Sequence, residues 1–417
     1  MKEIKYKIYT LGCKVNQYDS FDLERKLKKI GFKSVEKWAD IVFVNTCSVT
    51  KTAIIKDNRM ASKARQENPE AKIVFMGCYP KSYREEIKSD DFDLIWGVGD
   101  FDKLIKTILN FNFSTQNQPP MTKFKEEKSD KTRYFIKVQD GCEQFCSYCV
   151  IPYNRGKLQF KKRLEVIKEI KEVVSGGCGE IVLSGIHLGL YGYQRIGGVL
   201  KKEDSLVGLI QEIIKIEGIK RIRLSSIESM EISDDLIKII KNEKKICKHL
   251  HIPLQSGCDK ILKAMNRPYS RNEFEKKIIQ IKKEIPDIAI STDVIVGFPS
   301  ETEDDFIMTC DFVKKMKFSK LHVFSFSAHE KTPAFKMLNQ IKKSEVAVRS
   351  KVLRDIGEKL QKEFQDKFKG KKLEILVEGK KNNGRFGKTE YYFDVKICSD
   401  IIDGKKIKRG DIIEIVL

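Results

Sequence analysis

The sequence predicts a three-part α/β protein: a parallel α/β sheet at residues 1–111, a partial β/α barrel at 133–341 and a small β-barrel at 369–417. Three observations carry this expectation. Short apolar runs alternate with helical patterns in two separate blocks, the signature of parallel strands joined by helices. The second block holds six such units, which suits an open barrel better than a flat sheet. The final segment drops the helical period and alternates as strands do.

In the first block the strand-like runs are 5–11, 41–46 and 72–76. Helical patterns fill 18–30, with Gly31 as a stop, and 53–67, before Asn68-Pro69. Residues 112–132 are polar, carry Pro119-Pro120 and lack periodicity, so they read as a linker. The barrel strands are expected at 134–138, 180–183, 221–224, 249–253, 288–296 and 320–326. A charged connecting helix covers 342–368. Beyond it lie LEILVEG, YYFDVKIC and DIIEIVL, broken by Asn382-Asn383-Gly384 and Asp403-Gly404. A small barrel of the kind that binds oligonucleotides fits this pattern; a β cap on the central barrel is the competing reading.

The chain has 417 residues and a net charge of +21, which points to an anionic partner, nucleic acid first. A lysine-biased composition also produces such an excess, since 64 of the 80 basic residues are lysine. No apolar run reaches the about 18 residues of a membrane span. The opening MKEIKYKIYTL lacks a secretory pattern, so the expected compartment is the cytoplasm, with no membrane partner. In that compartment thiols stay reduced, and the 11 cysteines read as metal ligands or catalytic groups rather than disulfides.

Cys142, Cys146 and Cys149 stand in VQDGCEQFCSYCVIP, a C-x3-C-x2-C spacing just past the strand at 134–138. Carboxyl ends of barrel strands are where active sites are built. Three thiolates on one loop can hold three irons of a four-iron cluster and leave the fourth open to a substrate. A zinc site is the alternative, although zinc usually takes four ligands from paired C-x2-C motifs.

Cys13, Cys47 and Cys78 are distant in sequence but occupy equivalent places: YTLGC, VFVNTC and VFMGC. Each follows an apolar strand. If those strands are parallel neighbours, the three thiols emerge along one sheet edge, at the crevice where such sheets bind ligands. A second three-thiolate cluster is one reading; three inert buried cysteines are the other.

The C-x3-C-x2-C loop resembles that of the radical S-adenosylmethionine (SAM) enzymes. Together, LGCKVNQYDS, NTCSVT, FMGC and DGCEQFCSYCVIPYNRG resemble the radical SAM methylthiotransferases along essentially the whole chain. The LGCKVNQYDS form and the SGIHLGLYG stretch look most like the branch acting on threonylcarbamoyladenosine in tRNA. The resemblance implies two [4Fe-4S] clusters, one on Cys13, Cys47 and Cys78 and one on Cys142, Cys146 and Cys149. It also implies SAM as cosubstrate, with contacts at Ser184, Gly185, Glu228, Gln255 and Asp293. Arg267 in MNRPYS suits a carboxylate or phosphate. The implied partners are the tRNA anticodon stem-loop, held partly by a terminal TRAM-type module, and an electron donor such as a flavodoxin or ferredoxin.

The sequence departs from the family pattern at Ser229, where a proline usually follows Glu228, and at Lys331-Thr332-Pro333, where the motif usually reads Gly-Thr-Pro. Siblings that modify isopentenyladenosine or a ribosomal protein are the nearest alternatives. A non-enzymatic iron–sulfur RNA-binding protein is the alternative from another class. Cys178, Cys247, Cys258, Cys310 and Cys398 share no spacing and read as packing residues. The 5 histidines form no ligand-spaced pair, and His187 reads as structural.

Overall fold

The computed structural model describes residues 3–87, 91–111, 113, 132–381, 384–398, 401–402 and 405–417. The linker expected at 112–132 lies almost wholly outside these residues, as do Asn382-Asn383 and Asp403-Gly404.

The first region runs β1 (Lys5–Thr10), α1 (Lys14–Lys29), β2 (Lys33–Ser34), β3 (Ile41–Thr46), α2 (Lys51–Glu67), β4 (Lys72–Gly77), α3 (Cys78–Ser82), β5 (Leu94–Ile95) and α4 (Phe101–Ile108). Its five strands are all parallel, in the order β2-β1-β3-β4-β5. β3 is buried along its full length, as a central strand covered on both faces must be. Tyr6, Leu23, Phe43 and Leu104 pack on one face, and Val42, Val44, Ala64 and Phe75 on the other.

The second region contains β6 (Arg133–Asp140), α5 (Ile151–Arg155), β7 (Gln159–Phe160), α6 (Arg163–Ser175), β8 (Glu180–Gly185), β9 (Tyr193–Ile196) and β10 (Val199–Lys202). It continues through α7 (Leu206–Ile214), β11 (Arg221–Leu224), α8 (Asp234–Asn242), β12 (His249–His251), α9 (Asp259–Ala264), α10 (Arg271–Glu284), β13 (Ala289–Val296), α11 (Glu303–Met316) and β14 (Lys320–Ser325). β6, β8 and β11 pair in parallel, and so do β12, β13 and β14. Parallel bridges at Ile222–Ile246 and Ser226–His251 join the two sheets into one curved series, open between β6 and β14. The hairpin β9–β10 was not anticipated from sequence.

Along β13, Ile290, Val294 and Val296 pack into the large core beneath the helices, while Ser291 and Asp293 alternate onto the barrel interior. Helices are stopped and started by ordinary devices. Ser270 and Glu273 form a capping box on α10, as do Thr302 and Asp305 on α11.

The connecting helix α12 (Lys343–Asp366) leads to β15 (Lys372–Lys381), β16 (Gly384–Thr389), β17 (Asp394–Ile397), β18 (Ile401–Ile402), β19 (Lys405–Lys406) and β20 (Ile412–Val416). Four of these form an antiparallel sheet, β17-β16-β15-β20, and β18–β19 form a separate ladder. Among the described residues no helix is long and apolar enough to cross a membrane.

Helix α1 ties the first region to the barrel. Phe21 stacks on Tyr134 at 5.7 Å, and the Tyr18 and Tyr134 hydroxyls both donate to Glu169 at 3.3 Å. Lys161 supplies the counter-charge, 2.5 Å from the same carboxylate.

Candidate active site

The register of β1, β3 and β4 sets Thr10 beside Asn45 and Thr46 beside Gly77, so the three strands end together. Cys13, Cys47 and Cys78 therefore leave one sheet edge. Two glycines make the turns possible. Gly12 has φ +99°, and a Cβ there would lie 2.8 Å from the Cys47 Cβ; Gly77 has φ +105°, with the Thr46 carbonyl 2.7 Å from where a Cβ would be. Cys13 is the N-cap of α1 and Cys78 opens α3.

Asn16, one turn into α1, draws the set together. Its amide donates to the Leu11 and Thr46 carbonyls at 3.0 and 2.7 Å. Its Oδ1 lies 3.8 Å from the sulfurs of both Cys13 and Cys78. Cys47 faces the same pair, and its own N–H donates to Asp57 at 3.0 Å. Burial pushes the Cys47 thiol up to about 12 and the Cys78 thiol up to about 11, the latter eased by the nearby Arg155. A bare thiolate is thus penalised here, and a bound metal would remove the penalty.

The second set sits on the loop after β6. Gly141, at φ +76°, lies so close to the Lys157 carbonyl that any Cβ would clash with it. Hydrogen bonds then fix the loop: Cys142 N–H to the Gly156 carbonyl at 3.0 Å, and Cys149 N–H to the Cys146 carbonyl at 2.9 Å. Ser147 bonds to the Met265 and Ala264 carbonyls, so the loop is seated on the end of α9. Three sulfurs on one loop, two of them in contact with cationic groups, suit an iron–sulfur cluster.

Those cationic groups come from later loops, His187 past the end of β8 and Arg267 between α9 and α10. Arg267 donates to the Cys146 sulfur at 3.2 Å and forms an ion pair with Glu228. The His187 ring nitrogen lies 3.6 Å from the Cys142 sulfur, and the opposite nitrogen pairs with Glu231. Although burial works against the imidazolium, hydrogen bonds to Cys142 and Glu231 hold His187 up at about 10. His187, read as structural from sequence, in fact touches the cysteine loop. Its one sequence signal was its place inside SGIHLG.

One side chain joins the two regions beside the thiol sets. Arg155, at the end of α5 and therefore just past the cysteine loop, reaches back to the first region. It donates to Asn16 Oδ1 at 2.6 Å and to Asp19 at 2.9 Å. Lys137 also pairs with Asp19, at 2.6 Å, and both cations pair with Asp140. Against the opposing effect of burial, Lys137 and Arg155 hold the Asp140 carboxyl below the usual range.

The other expected positions fall as follows. Gly185 ends β8 where a Cβ would meet the Gln139 side chain at 2.9 Å, and Ser184 before it is fully buried. Glu228 is tied to the cysteine loop through Arg267. Gln255 adopts φ +68° beside β13, donating its N–H to the Asp293 carbonyl at 2.8 Å. The Asp293 carboxylate lies between His251 at 3.1 Å and His322 at 3.3 Å. These three donor groups fall within 4.8 Å of one another, on neighbouring strands, with no trace in the sequence spacing. The two departures from pattern are occupied: Ser229 opens a short 3-10 turn, and Lys331 bonds to the Ser82 carbonyl across the domain junction.

Lower in the barrel, Tyr392 projects from the turn between β16 and β17 in a left-handed conformation, φ +72°. Its ring lies 4.8 Å from that of His249 and is surrounded by Lys14, Arg133, Arg223 and Lys388. Nearby, a cleft of about 590 Å³ opens among α1, β6 and the terminal sheet, lined by Phe21, Phe135, Phe386, Arg133, Lys388 and Arg409.

Residues 136–313 match the radical SAM superfamily, and residues 5–97 match the uncharacterized protein family UPF0004. The chain is 35% identical to the threonylcarbamoyladenosine tRNA methylthiotransferase MtaB of Bacillus subtilis, covering 96% of this chain and 92% of that one. It is 36% identical to the protein of the same name from Thermotoga maritima, over 94% and 90%. The tRNA-2-methylthio-N(6)-dimethylallyladenosine synthase of Carboxydothermus hydrogenoformans is 32% identical over 91% and 89%. Among solved structures, the radical SAM methyltransferase TsrM of Kitasatospora setae shares the fold, with a TM-score of 0.58 at 12% identity over 80% of this chain and 77% of that one.

Proposed function

Since the chain belongs to the radical SAM methylthiotransferases, we propose that it converts N6-threonylcarbamoyladenosine, on the 3′ side of the tRNA anticodon, to its 2-methylthio derivative. It is a transferase that works with SAM and a [4Fe-4S] cluster, as its superfamily does. The observation that supports the fuller reading is Arg155, which leaves the barrel just past its cysteine loop and bonds Asn16 and Asp19 beside the sheet-edge thiols.

Cys142, Cys146 and Cys149 would hold the cluster that serves SAM; Cys13, Cys47 and Cys78 would hold a second. The first supplies an open iron and the electron that splits the sulfonium, and the second a seat for the sulfur to be transferred. Two SAM are used per product, one for the methyl group and one for hydrogen abstraction at C2 of the adenine.

The protein's own share is positioning. Arg267 and His187 place positive charge on the Cys146 and Cys142 sulfurs, and their carboxylate partners fix both side chains. Arg155 does the same from across the domain junction. Ser184, Gly185, Glu228, Gln255 and Asp293 would contact SAM: carboxylate, amide and close backbone approach suit a zwitterion.

Reaching C2 requires an unstacked base. The cleft beside α1 combines three phenylalanines with three cations, which suits a splayed nucleotide and its phosphates. Residues 369–417 act as an RNA-holding module, and the net charge of +21 favours a polyanion. A flavodoxin or ferredoxin supplies electrons, in the cytoplasm.

The test is anaerobic reconstitution with dithionite, SAM and an anticodon stem-loop carrying threonylcarbamoyladenosine. The expected products are 5′-deoxyadenosine and the methylthiolated nucleoside, read by mass spectrometry. Methylthiolation only of an isopentenyladenosine stem-loop would move the substrate to the sibling branch.

A further inference from the structure

Four cations ring Tyr392: Lys14 at 5.6 Å, Arg133 at 5.7 Å, Arg223 at 4.5 Å and Lys388 at 4.7 Å from its centroid. Three of them have carboxylate partners. Arg133 pairs with Glu378 and, at 3.9 Å, with Glu180; Arg223 pairs with Glu180 at 3.1 Å; Lys388 pairs with Asp394 at 2.6 Å. Lys14 makes no ion pair or hydrogen bond among the described residues. A part-buried ammonium with no directly bonded anion is costly to a fold, and such a charge is kept where a ligand completes it.

Its position says which ligand. Lys14 directly follows Cys13 and occupies the first turn of α1, so its stem starts at the N-terminal thiol set. Its head reaches the Tyr392 ring in the barrel interior, where Asp293, Arg223 and Arg133 are its electrostatic neighbours. Lys14 thus spans from the place where sulfur would be delivered to the barrel interior that borders the cleft proposed for the nucleotide. Arg133 and Lys388 also line the aromatic cleft beside α1, so the ring of cations borders that cleft. In adenine, C2 and N6 share one edge of the ring. A base offering C2 to the thiol sets therefore extends its N6 substituent into the same space.

We propose that Lys14 is the specificity-determining residue of this site, its ammonium binding the free carboxylate of an amino-acid substituent on N6 of the adenine. The inference rests on the substrate reading above and deepens it. A hydrocarbon substituent in the same place would leave the ammonium enclosed and unpaired, so rejection comes from the lost ion pair rather than from shape.

The experiment uses reconstituted holoenzyme and two anticodon stem-loops. One carries threonylcarbamoyladenosine; the other carries the same group with its carboxylate converted to the neutral amide. Wild type should prefer the acid by about 100-fold in kcat/KM. Lys14→Met should lose most of that preference, chiefly through KM for the acid, while the amide changes by about threefold or less. Lys14→Arg, which keeps the charge, should recover part of the preference. Iron content of each variant shows that both thiol sets are filled. A preference that survives in Lys14→Met with full iron overturns the proposal, because a purely structural lysine over Tyr392 would behave that way. Wild type that turns over acid and amide equally overturns it without any variant. Wild type that makes 5′-deoxyadenosine yet modifies neither stem-loop removes the substrate reading itself, a separate result.

Discussion

The two thiol sets have the same number of sulfurs and opposite origins. Cys142, Cys146 and Cys149 lie on one loop, pinned by hydrogen bonds to its own neighbourhood and to the end of α9. Cys13, Cys47 and Cys78 come from three strand ends and meet only because the sheet is in register. Their electrostatics differ too. The barrel loop receives cations from its own domain, Arg267 and His187, each backed by a glutamate. The sheet edge borrows Arg155 from the barrel. The barrel site is locally complete, whereas the sheet site is finished only when the two regions dock.

The sharpest way to break this comparison is to remove one cysteine from each set. Cys146→Ala should abolish 5′-deoxyadenosine formation, a loss of at least about 10³-fold. Cys47→Ala should keep that activity, lose the methylthiolated product and bind about four fewer irons. If Cys47→Ala silences SAM cleavage as well, the two sets do not divide the labour as stated.

Arg155→Met tests the borrowed charge. Asp19 is 2% exposed and keeps only Lys137 as a cationic partner after the change. The expected cost is about 3–5 kcal/mol, read as a lower unfolding midpoint, with iodoacetamide reaching Cys13 and Cys78 faster than Cys142. Arg155→Lys should recover part of it.

A smaller effect tests register against locality. Gly12→Ala places a Cβ at φ +99° against Cys47 and should cost about 1–3 kcal/mol, emptying the sheet-edge site of iron first. Gly156→Ala, at φ +72° with open space around it, should cost about 1 kcal/mol and leave both sites filled. The most conservative substitution is Arg267→Lys, which keeps the charge beside Cys146 but loses the fork to Glu228. KM for SAM should rise by about tenfold, with iron content unchanged.

Much of this was readable in the chain. The parallel strands fall within a residue or two of their expected places over most of the length, because buried parallel strands are continuous apolar runs. The six cysteines stood out for two reasons, tight spacing in one set and repeated strand-end placement in the other. The groups around them did not. Asn16 was hidden because the helix was expected to begin at Tyr18; it starts at Lys14, with Cys13 as its cap and Val15 already buried. Arg155 carried no signal because its partners, Asn16 and Asp19, lie more than a hundred residues away, on another domain. β16 was missed for a local reason: Gly384 and Gly387 weaken its strand pattern, and pairing on both edges overrides them.

The turn that carries Tyr392 also supplies the Thr389 and Glu390 carbonyls to Arg223, one of the most deeply enclosed side chains in the barrel. The C-terminal sheet is thus a stopper as much as an appendage. A shortened protein ending before it would leave Arg223 with Glu180 as its one bonded partner and two of its donors without acceptors, so the catalytic half taken as a free-standing fragment should unfold at a lower midpoint than the whole chain.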